Sequence, residues 1–351
     1  MLAAILFFSV EVNALSAEKA IVTDGNTGYV LFEKNADSRS LIASTTKIMT
    51  ALIVCEQTNV LDRVRIPKAA VGIEGSSLYL KEGEILTVQE LRYGLMLHSG
   101  NDAAVALAIY CGGSVEGFVQ LMNDKAHVIG LEQTHFQNPH GLDAPEHYST
   151  ARDLAVLAGY AMNNPLFRQT VSTKSASITN RSLRNHNKLL WRLDGTDGVK
   201  TGYTKAAGRI LVSSAYRNDR RLVCVTINAP SDWTDHEKLL SEGFLNYSMR
   251  QIVTKGDCLG YVEIAGGNDA YVSLIAADNL CCMVAQWENP EVVLQEFGVV
   301  YAPVSEGEDA GVAYVCVGNV IIGKVPVLFG ENVKRMESKQ IPFWKKLFGC
   351  D

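Results

Sequence analysis

No run of 18 apolar residues occurs in this chain of 351, so the sequence offers no helix long and apolar enough to cross a bilayer. Nor do basic residues predominate: 32 Lys and Arg stand against 38 Asp and Glu, a net charge of −6. Phosphate-backbone binding needs a basic surface, so nucleic acid is excluded as a partner. CxxC and other metal-like spacings are missing, as are a dinucleotide fingerprint and a P-loop, so no metal or cofactor is implied. Internal repeats and low-complexity segments are absent too, which removes repeat architectures.

What is present suits a folded chain with one sizeable core and a smaller second domain: 47% apolar and 20% charged residues. The first ten residues, MLAAILFFSV, are apolar but short. With the small residues that follow, up to Ala17, they read as the apolar stretch and cleavage site of a secretory signal over residues 1–17. The basic leader of such a signal is missing and Glu11 sits inside it, so an incomplete signal and a buried strand both fit. There are eight cysteines: Cys55, Cys111, Cys224, Cys258, Cys281, Cys282, Cys316 and Cys350. An exported chain could pair them. Most lie in apolar runs such as ALIVC and LVCVTI, however, so all but Cys350 are expected as free, buried small hydrophobes.

Along the chain, KAIVTDGNTGYVLFEKN is two strand-like runs around the turn DGNTG, which predicts an opening hairpin. Helical patterns follow at 45–56, after TVQE (Thr87 and Glu90 at capping-box spacing), at 102–110, at 115–129 behind Ser114, and at 150–162. Strand signals return with DGVKTGYT, GRILVSSAY and RLVCVTINA, and a helix is expected over 234–247. Strands at both ends with helices between them predict an α+β domain, residues 18–252, whose sheet unites the two ends. Beyond it, short alternating segments such as AYVSLIAA, GVAYVCVG and VIIGKVPVLF predict a small all-β, sandwich-like domain over 253–335. Residues 336–351 contain PFWKKLFGC, aromatics mixed with lysines, which read either as an amphipathic membrane-associating tail or as a frayed end.

Three short stretches carry chemistry. In IASTTKIMTALIV, Ser44 and Lys47 are three residues apart at the head of an apolar helix, so the amine can lie over the hydroxyl. Serine needs a base before it is a useful nucleophile, and a buried lysine loses its proton readily. Alone this spacing is equally a helix cap beside a snorkelling lysine. In LHSGNDAAVA, Ser99 and Asn101 sit at a break between helices, where a hydroxyl can relay a proton and an amide can grip a peptide bond. Alone, that is an ordinary cap. In DGVKTGYT, Lys200, Thr201 and Gly202 fall on a strand; a cation beside a hydroxyl on a sheet edge receives a carboxylate, and glycine lets another backbone approach.

S-x-x-K, S-x-N and K-T-G in this order form a signature of active-site serine enzymes that act on D-alanyl peptides or β-lactams. The chain resembles the serine D-alanyl-D-alanine carboxypeptidases, the low-molecular-mass penicillin-binding proteins. The likeness runs through VLFEKNADSRSLIASTTKIMTAL, FQNPHGLDAPEHYSTARDLA, DGVKTGYTKAAGRILVSSA and APVSEGEDAGVAYV, roughly residues 18–335. It implies the penicillin-binding, β-lactamase-like fold: an antiparallel sheet flanked by helices with a helical subdomain. It also implies Ser44 as acylated nucleophile, Lys47 as base and Ser99 as proton relay. Asn101 would hold the substrate amide, Lys200 and Thr201 would bind the terminal carboxylate, and the Ser44 and Tyr203 N–H groups would form the oxyanion hole. Thr204 completes the K-T-G-x-T pattern. His186 stands where some members carry an arginine, which would throw carboxylate binding onto Lys200, and His140 reads as structural.

By the same resemblance the substrates are peptidoglycan stems ending in D-alanyl-D-alanine, the inhibitors are β-lactams, and the location is the cell-wall space outside the cytoplasmic membrane. Two alternatives differ in chemistry. A β-lactamase needs a glutamate before K-T-G to activate the deacylating water, whereas the E-x-x-L-N match here, Glu242 to Asn246, follows it. A catalytically silent wall-binding protein would not retain the full set of reactive residues.

Overall fold

The computed structural model describes residues 15–337, and the chain divides into two compact units at Asn246 and Tyr247. Most of the expected signal segment and of the expected tail therefore lies outside the described residues. Residues 15–17 do not. Leu15 and Ala17 are buried, and Asp235 accepts hydrogen bonds from the Ser16 hydroxyl (2.7 Å) and the Ala17 N–H (3.0 Å). These three residues pack against the first unit.

The first unit is built on a five-stranded antiparallel sheet. Its hairpin, β1 (Lys19–Asp24) and β2 (Val30–Lys34), turns where expected; Asp24 Oδ1 accepts from the N–H groups of Asn26 and Thr27 and fixes the bend. Two further hairpins, β3 (Arg63–Arg65) with β4 (Ile85–Thr87) and β5 (Ser175–Ile178) with β6 (Arg181–Arg184), stand apart from the sheet. Strands β7 (Thr196–Thr204), β8 (Gly208–Arg217) and β9 (Arg220–Ile227) complete it in the order β2-β1-β9-β8-β7, so β1 pairs with β9 and the two ends of the unit meet. Strands β1 and β9 are buried almost throughout, on both faces, which explains their unbroken apolar runs.

Helices cover the sheet and form a separate cluster beside it: α1 (Lys47–Gln57), α2 (Val88–Leu97), α3 (Asn101–Gly112), α4 (Val115–Val128), α5 (Ala151–Met162), α6 (Pro165–Ser172), α7 (Leu189–Arg192) and α8 (Asp232–Asn246). The capping box at Thr87 and Glu90 forms, and the Ser114 and Thr150 hydroxyls cap α4 and α5. Helices α5 and α8 lie against the sheet, and α1 runs through the core with Ile48, Met49, Leu52 and Ile53 fully enclosed.

The second unit has a two-stranded sheet, β10 (Tyr247–Val253) with β13 (Leu280–Ala285). Its six-stranded sheet orders β14 (Glu291–Leu294), β16 (Asp309–Val317), β17 (Val320–Phe329), β12 (Tyr271–Ala276), β11 (Cys258–Ala265) and β15 (Val300–Tyr301). Strand β10, placed in the first domain on sequence grounds, belongs here, because α8 passes into it with no glycine or proline to mark the boundary. The cysteines depart from expectation as well. Cys55, Cys224 and Cys282 are buried and Cys111 and Cys316 partly so, but Cys258 and Cys281 are exposed; all seven are free, and Cys350 lies outside the described residues. Cys281 and Cys282 are neighbours on β13, so the alternation of a strand turns one out and the other in.

Candidate active site

Ser44 lies not in α1 but in a tight 3₁₀ turn, residues Ala43–Thr46, that leads into it. In such a turn residues i and i+3 eclipse, which stacks Lys47 on Ser44 more closely than an α-helix would. Lys47 is completely buried, and its Nζ sits 2.9 Å from Ser44 Oγ, 2.7 Å from Asn101 Oδ1 and 2.6 Å from the His140 carbonyl. Burial first, then the positive charge of Lys200, holds the amine well below the ordinary lysine range, against a weaker pull from Asp102. A neutral amine has two hydrogens and one lone pair. Two of its neighbours, the Asn101 amide oxygen and the His140 carbonyl, can only accept. The two hydrogens go there, and the lone pair is left facing the Ser44 hydroxyl.

Each partner is fixed in turn. Asn101 opens α3 and donates from Nδ2 to the Glu74 carbonyl at 2.5 Å, so its amide is spent on Lys47 and on the loop before Ser76. Asp102, fully buried, holds the rest of that loop by accepting from the Ser77 hydroxyl and the Leu78 and Leu80 N–H groups. Ser99, between α2 and α3, takes a left-handed backbone (φ 64°) that is uncommon outside glycine. Gly141 brings the His140 carbonyl into place: its φ is 90°, and a Cβ there would lie 1.9 Å from the Ala43 carbonyl oxygen. Behind the turn, Thr46 Oγ1 meets His147 Nε2 at 2.7 Å while His147 Nδ1 accepts from the Gln137 N–H. That ring is therefore the Nε2–H tautomer, and burial pushes its pKa down to about 4. His140 is also pushed down to about 4 by burial and by Lys47.

Strand β7 is an edge strand and lies along the Ser44 turn. Gly202 makes this approach possible, since a Cβ there would be 3.3 Å from Ser44 N and from the Ile42 carbonyl oxygen. Lys200 is buried, donates to the Thr201 carbonyl at 2.9 Å, and is lowered to about 7 by desolvation. A cleft of about 340 Å³ is lined by Ser44, Ser99, Thr201, Gly202 and Tyr203, with Ser76, His186, Lys188, Arg209, Asp232 and Trp233 around them. Thr204 stands outside this lining: its hydroxyl donates to Asp143 at 3.1 Å and accepts from the Ala207 N–H. Glu242 is held by Asn246 within α8, also away from the cleft lining.

Sequence reasoning did not find the His140 carbonyl, Asp102, Gly141 or His147. A backbone carbonyl has no side-chain signature. For Asp102 a weak signal existed, since an acid directly after Asn101 opens an otherwise apolar helix.

A hydroxyl facing an amine lone pair, beside an edge strand carrying a cation, defines a serine acyl-transfer enzyme. Comparison with known proteins narrows this. The family model described as D-alanyl-D-alanine carboxypeptidase matches residues 7–231, and that of the penicillin-binding protein 5 C-terminal domain matches residues 247–335. D-alanyl-D-alanine carboxypeptidase DacF of Bacillus subtilis is 30% identical over 96% of this chain and 90% of its own. DacC of Escherichia coli is 40% identical over 67% of this chain and 63% of its own. The solved structure of penicillin binding protein 5 from Haemophilus influenzae covers 93% of this chain and 100% of its own, with a TM-score of 0.78 at 28% identity. The chain belongs to the D-alanyl-D-alanine carboxypeptidase family, the low-molecular-mass penicillin-binding proteins, and is a serine-type DD-carboxypeptidase.

Proposed function

We propose that Ser44 is the nucleophile that removes the terminal D-alanine from peptidoglycan pentapeptide stems in the cell-wall space. The observation that carries this is the Lys47 amine, its hydrogens taken by two carbonyl-type oxygens and its remaining valence 2.9 Å from Ser44 Oγ. In the acylation step the Ser44 oxygen bonds to the carbonyl carbon of the penultimate D-alanine as its proton passes to Lys47. The developing oxyanion is met by the N–H groups of Ser44 and Tyr203. The proton held by Lys47 passes by way of Ser99 to the leaving amine, and D-alanine departs with Lys47 neutral again. Water then cleaves the ester, with Lys47 again accepting the proton.

Lys200 and Thr201 receive the free carboxylate, and His186, lowered to about 4 by partial burial and then by the Lys200 charge, contributes as a neutral hydrogen-bonding ring. Asn101 serves first to aim Lys47, and its second Nδ2 hydrogen is what it has left for the substrate amide. Thr204, tied to Asp143, acts as a turn residue supporting β7. A β-lactam meets the same nucleophile, but its leaving amine stays tethered, and the acyl-enzyme persists for lack of a deacylating glutamate before K-T-G. Export by the N-terminal segment and attachment to the membrane through residues 336–351 rest on the sequence pattern alone. Intact-mass measurement after penicillin treatment should show one stoichiometric, slowly lost adduct on Ser44. Ser44→Ala should abolish both the adduct and D-alanine release. Rapid turnover of penicillin, or D-alanine release by Ser44→Ala, would overturn the reading.

A further inference from the structure

Three tyrosines of the second unit stand on one face of its six-stranded sheet. Tyr261 on β11, Tyr271 on β12 and Tyr301 on β15 are 69%, 61% and 70% exposed, and their strands are neighbours in the order β12-β11-β15. Tyr271 lies opposite Glu263 and Tyr301 opposite Ala265, while Tyr261 is two residues before Glu263 on β11, so the three border Glu263 on separate sides. Cross-strand and diagonal neighbours on one face are about 5 to 8 Å apart. The alternate residues, Val262, Ile264, Val272 and Leu274, are buried in the core beneath, and this fixes the tyrosines outward.

Charge and pairing set this face apart. Residues 247–337 hold 12 Asp and Glu against 5 Lys and Arg, while the rest of the chain holds 26 against 27, so the second unit carries the whole net negative charge. On the face itself, Glu331 accepts from the Ser273 hydroxyl at 2.6 Å, and Ser273 is opposite Tyr261. Among the described residues neither Glu263 nor Glu331 has a cation within ion-pair distance. Elsewhere the chain lays its own cations on half-exposed rings, Arg184 over Trp191 and Arg221 over Tyr216. No Lys or Arg among the described residues lies over Tyr261, Tyr271 or Tyr301. Carboxylates and open aromatic faces both receive cations, and here both stand unfilled.

We propose that this face is a docking surface for a partner protein that presents a basic segment, its arginine and lysine side chains lying on the tyrosine rings around Glu263. Charge selects this occupant. A second copy of the chain would bring the same carboxylates and be repelled, as would anionic lipid, and a neutral polysaccharide would leave Glu263 unmatched. A sheet face is open from above, so one extended segment can lie across all three strands. Arginine suits it better than lysine, because a planar guanidinium both stacks on a ring and grips a carboxylate. The surface is independent of the chemistry at Ser44.

Labelled octa-arginine, octalysine and octaglutamate peptides test it, with binding to the whole protein read by fluorescence anisotropy at low salt. Octa-arginine should bind more tightly than octalysine, and octaglutamate should not bind. Tyr261→Thr, Tyr271→Thr and Tyr301→Thr, which keep a strand-forming residue, should each weaken octa-arginine about two- to fivefold, and together about tenfold or more. The three Tyr→Phe changes together should leave it bound, because the rings remain. Glu263→Gln should weaken it about threefold, whereas Asp278→Asn, which removes the same charge beyond the far end of β12, should change it by less than about twofold. Penicillin acylation should be the same in every variant as in the wild type. Equal losses in Glu263→Gln and Asp278→Asn, or full binding by the triple Tyr→Thr variant, would reduce the effect to diffuse attraction by an acidic unit and overturn the surface. Failure to bind octa-arginine would do the same. So would vesicle binding, soluble-glycan binding or self-association of the wild type that the triple Tyr→Thr variant loses, since each names a different occupant.

Discussion

Replacing Asn101 by aspartate tests whether Lys47 acts as a neutral base. Asn101 Oδ1 is 2.7 Å from Lys47 Nζ, so Asn101→Asp places a carboxylate against a fully buried amine without changing side-chain size. Burial and Lys200 hold that amine low in the native site, and a new negative charge would act with Asp102 against them. An opposite charge at this range raises a lysine pKa by about one to three units, or about 1.4–4 kcal/mol. The sign follows directly: a higher pKa keeps Lys47 protonated over more of the neutral range, and a protonated lysine cannot take the Ser44 proton. The second-order rate of acylation by a fluorescent penicillin, measured from pH 5 to 10, should therefore lose its acid side at higher pH in the variant. At pH 7 it should fall about ten- to a thousandfold relative to wild type, with the ratio recovering as pH rises. Asn101→Ala is the control. It removes the same acceptor and the bond to the Glu74 carbonyl but adds no charge, so its rate should fall without an upward displacement of the acid limb. An acid limb in Asn101→Asp at the wild-type pH, or below it, would refute the assignment of Lys47 as the base.

Other consequences are checked separately. Gly141→Ala would drive a Cβ into the Ala43 carbonyl from a left-handed backbone, displacing the His140 carbonyl; penicillin acylation should drop by more than about a hundredfold and stability by about 2–5 kcal/mol, read from labelling and urea midpoints. Lys200, lowered to about 7 by burial, should give kcat/KM for the pentapeptide an alkaline decline near neutrality that a substrate with an amidated C-terminus lacks; a profile flat to pH 9 would count against carboxylate capture by this residue. His147 and His236 are buried and lowered to about 4 and about 3, His236 between the Ser213 and Thr226 hydroxyls. Between their unfolded value of 6.5 and those folded values the unfolded chain binds more protons, so stability is lost as pH falls. At pH 5 each should cost about 2 kcal/mol, and a first-unit urea midpoint equal at pH 7 and pH 5 would show the linkage to be absent.

Much of the first unit could be read from local chemistry. The DGNTG turn, the Thr87–Glu90 box and the Ser114 cap are all made within a few residues, so spacing alone revealed them. Helix α6, with Asn164 as cap and Pro165 at its first position, carried the same kind of signal and went unread, because its eight residues are too few to show a period. The three-residue strands β3 and β4 have no pattern at all; their partners and the core beneath them define them. In the site, Ser44 with Lys47 and Gly202 beneath the Ser44 turn were legible, since each needs only a residue type at a spacing. The use of the Asn101 amide was not, because it depends on which oxygen lies nearest a side chain 54 residues away.

By itself, then, the chain order of a hydroxyl, an amine, an amide and a strand-borne cation determined what chemistry is available, because those groups have few other uses together. Only the fold decided the direction of the proton. Gly141 and α3 bring two acceptors to Lys47 from far along the chain, and with its hydrogens occupied the amine has one direction left in which to act. That direction is a matter of position in space, which no spacing along a sequence encodes.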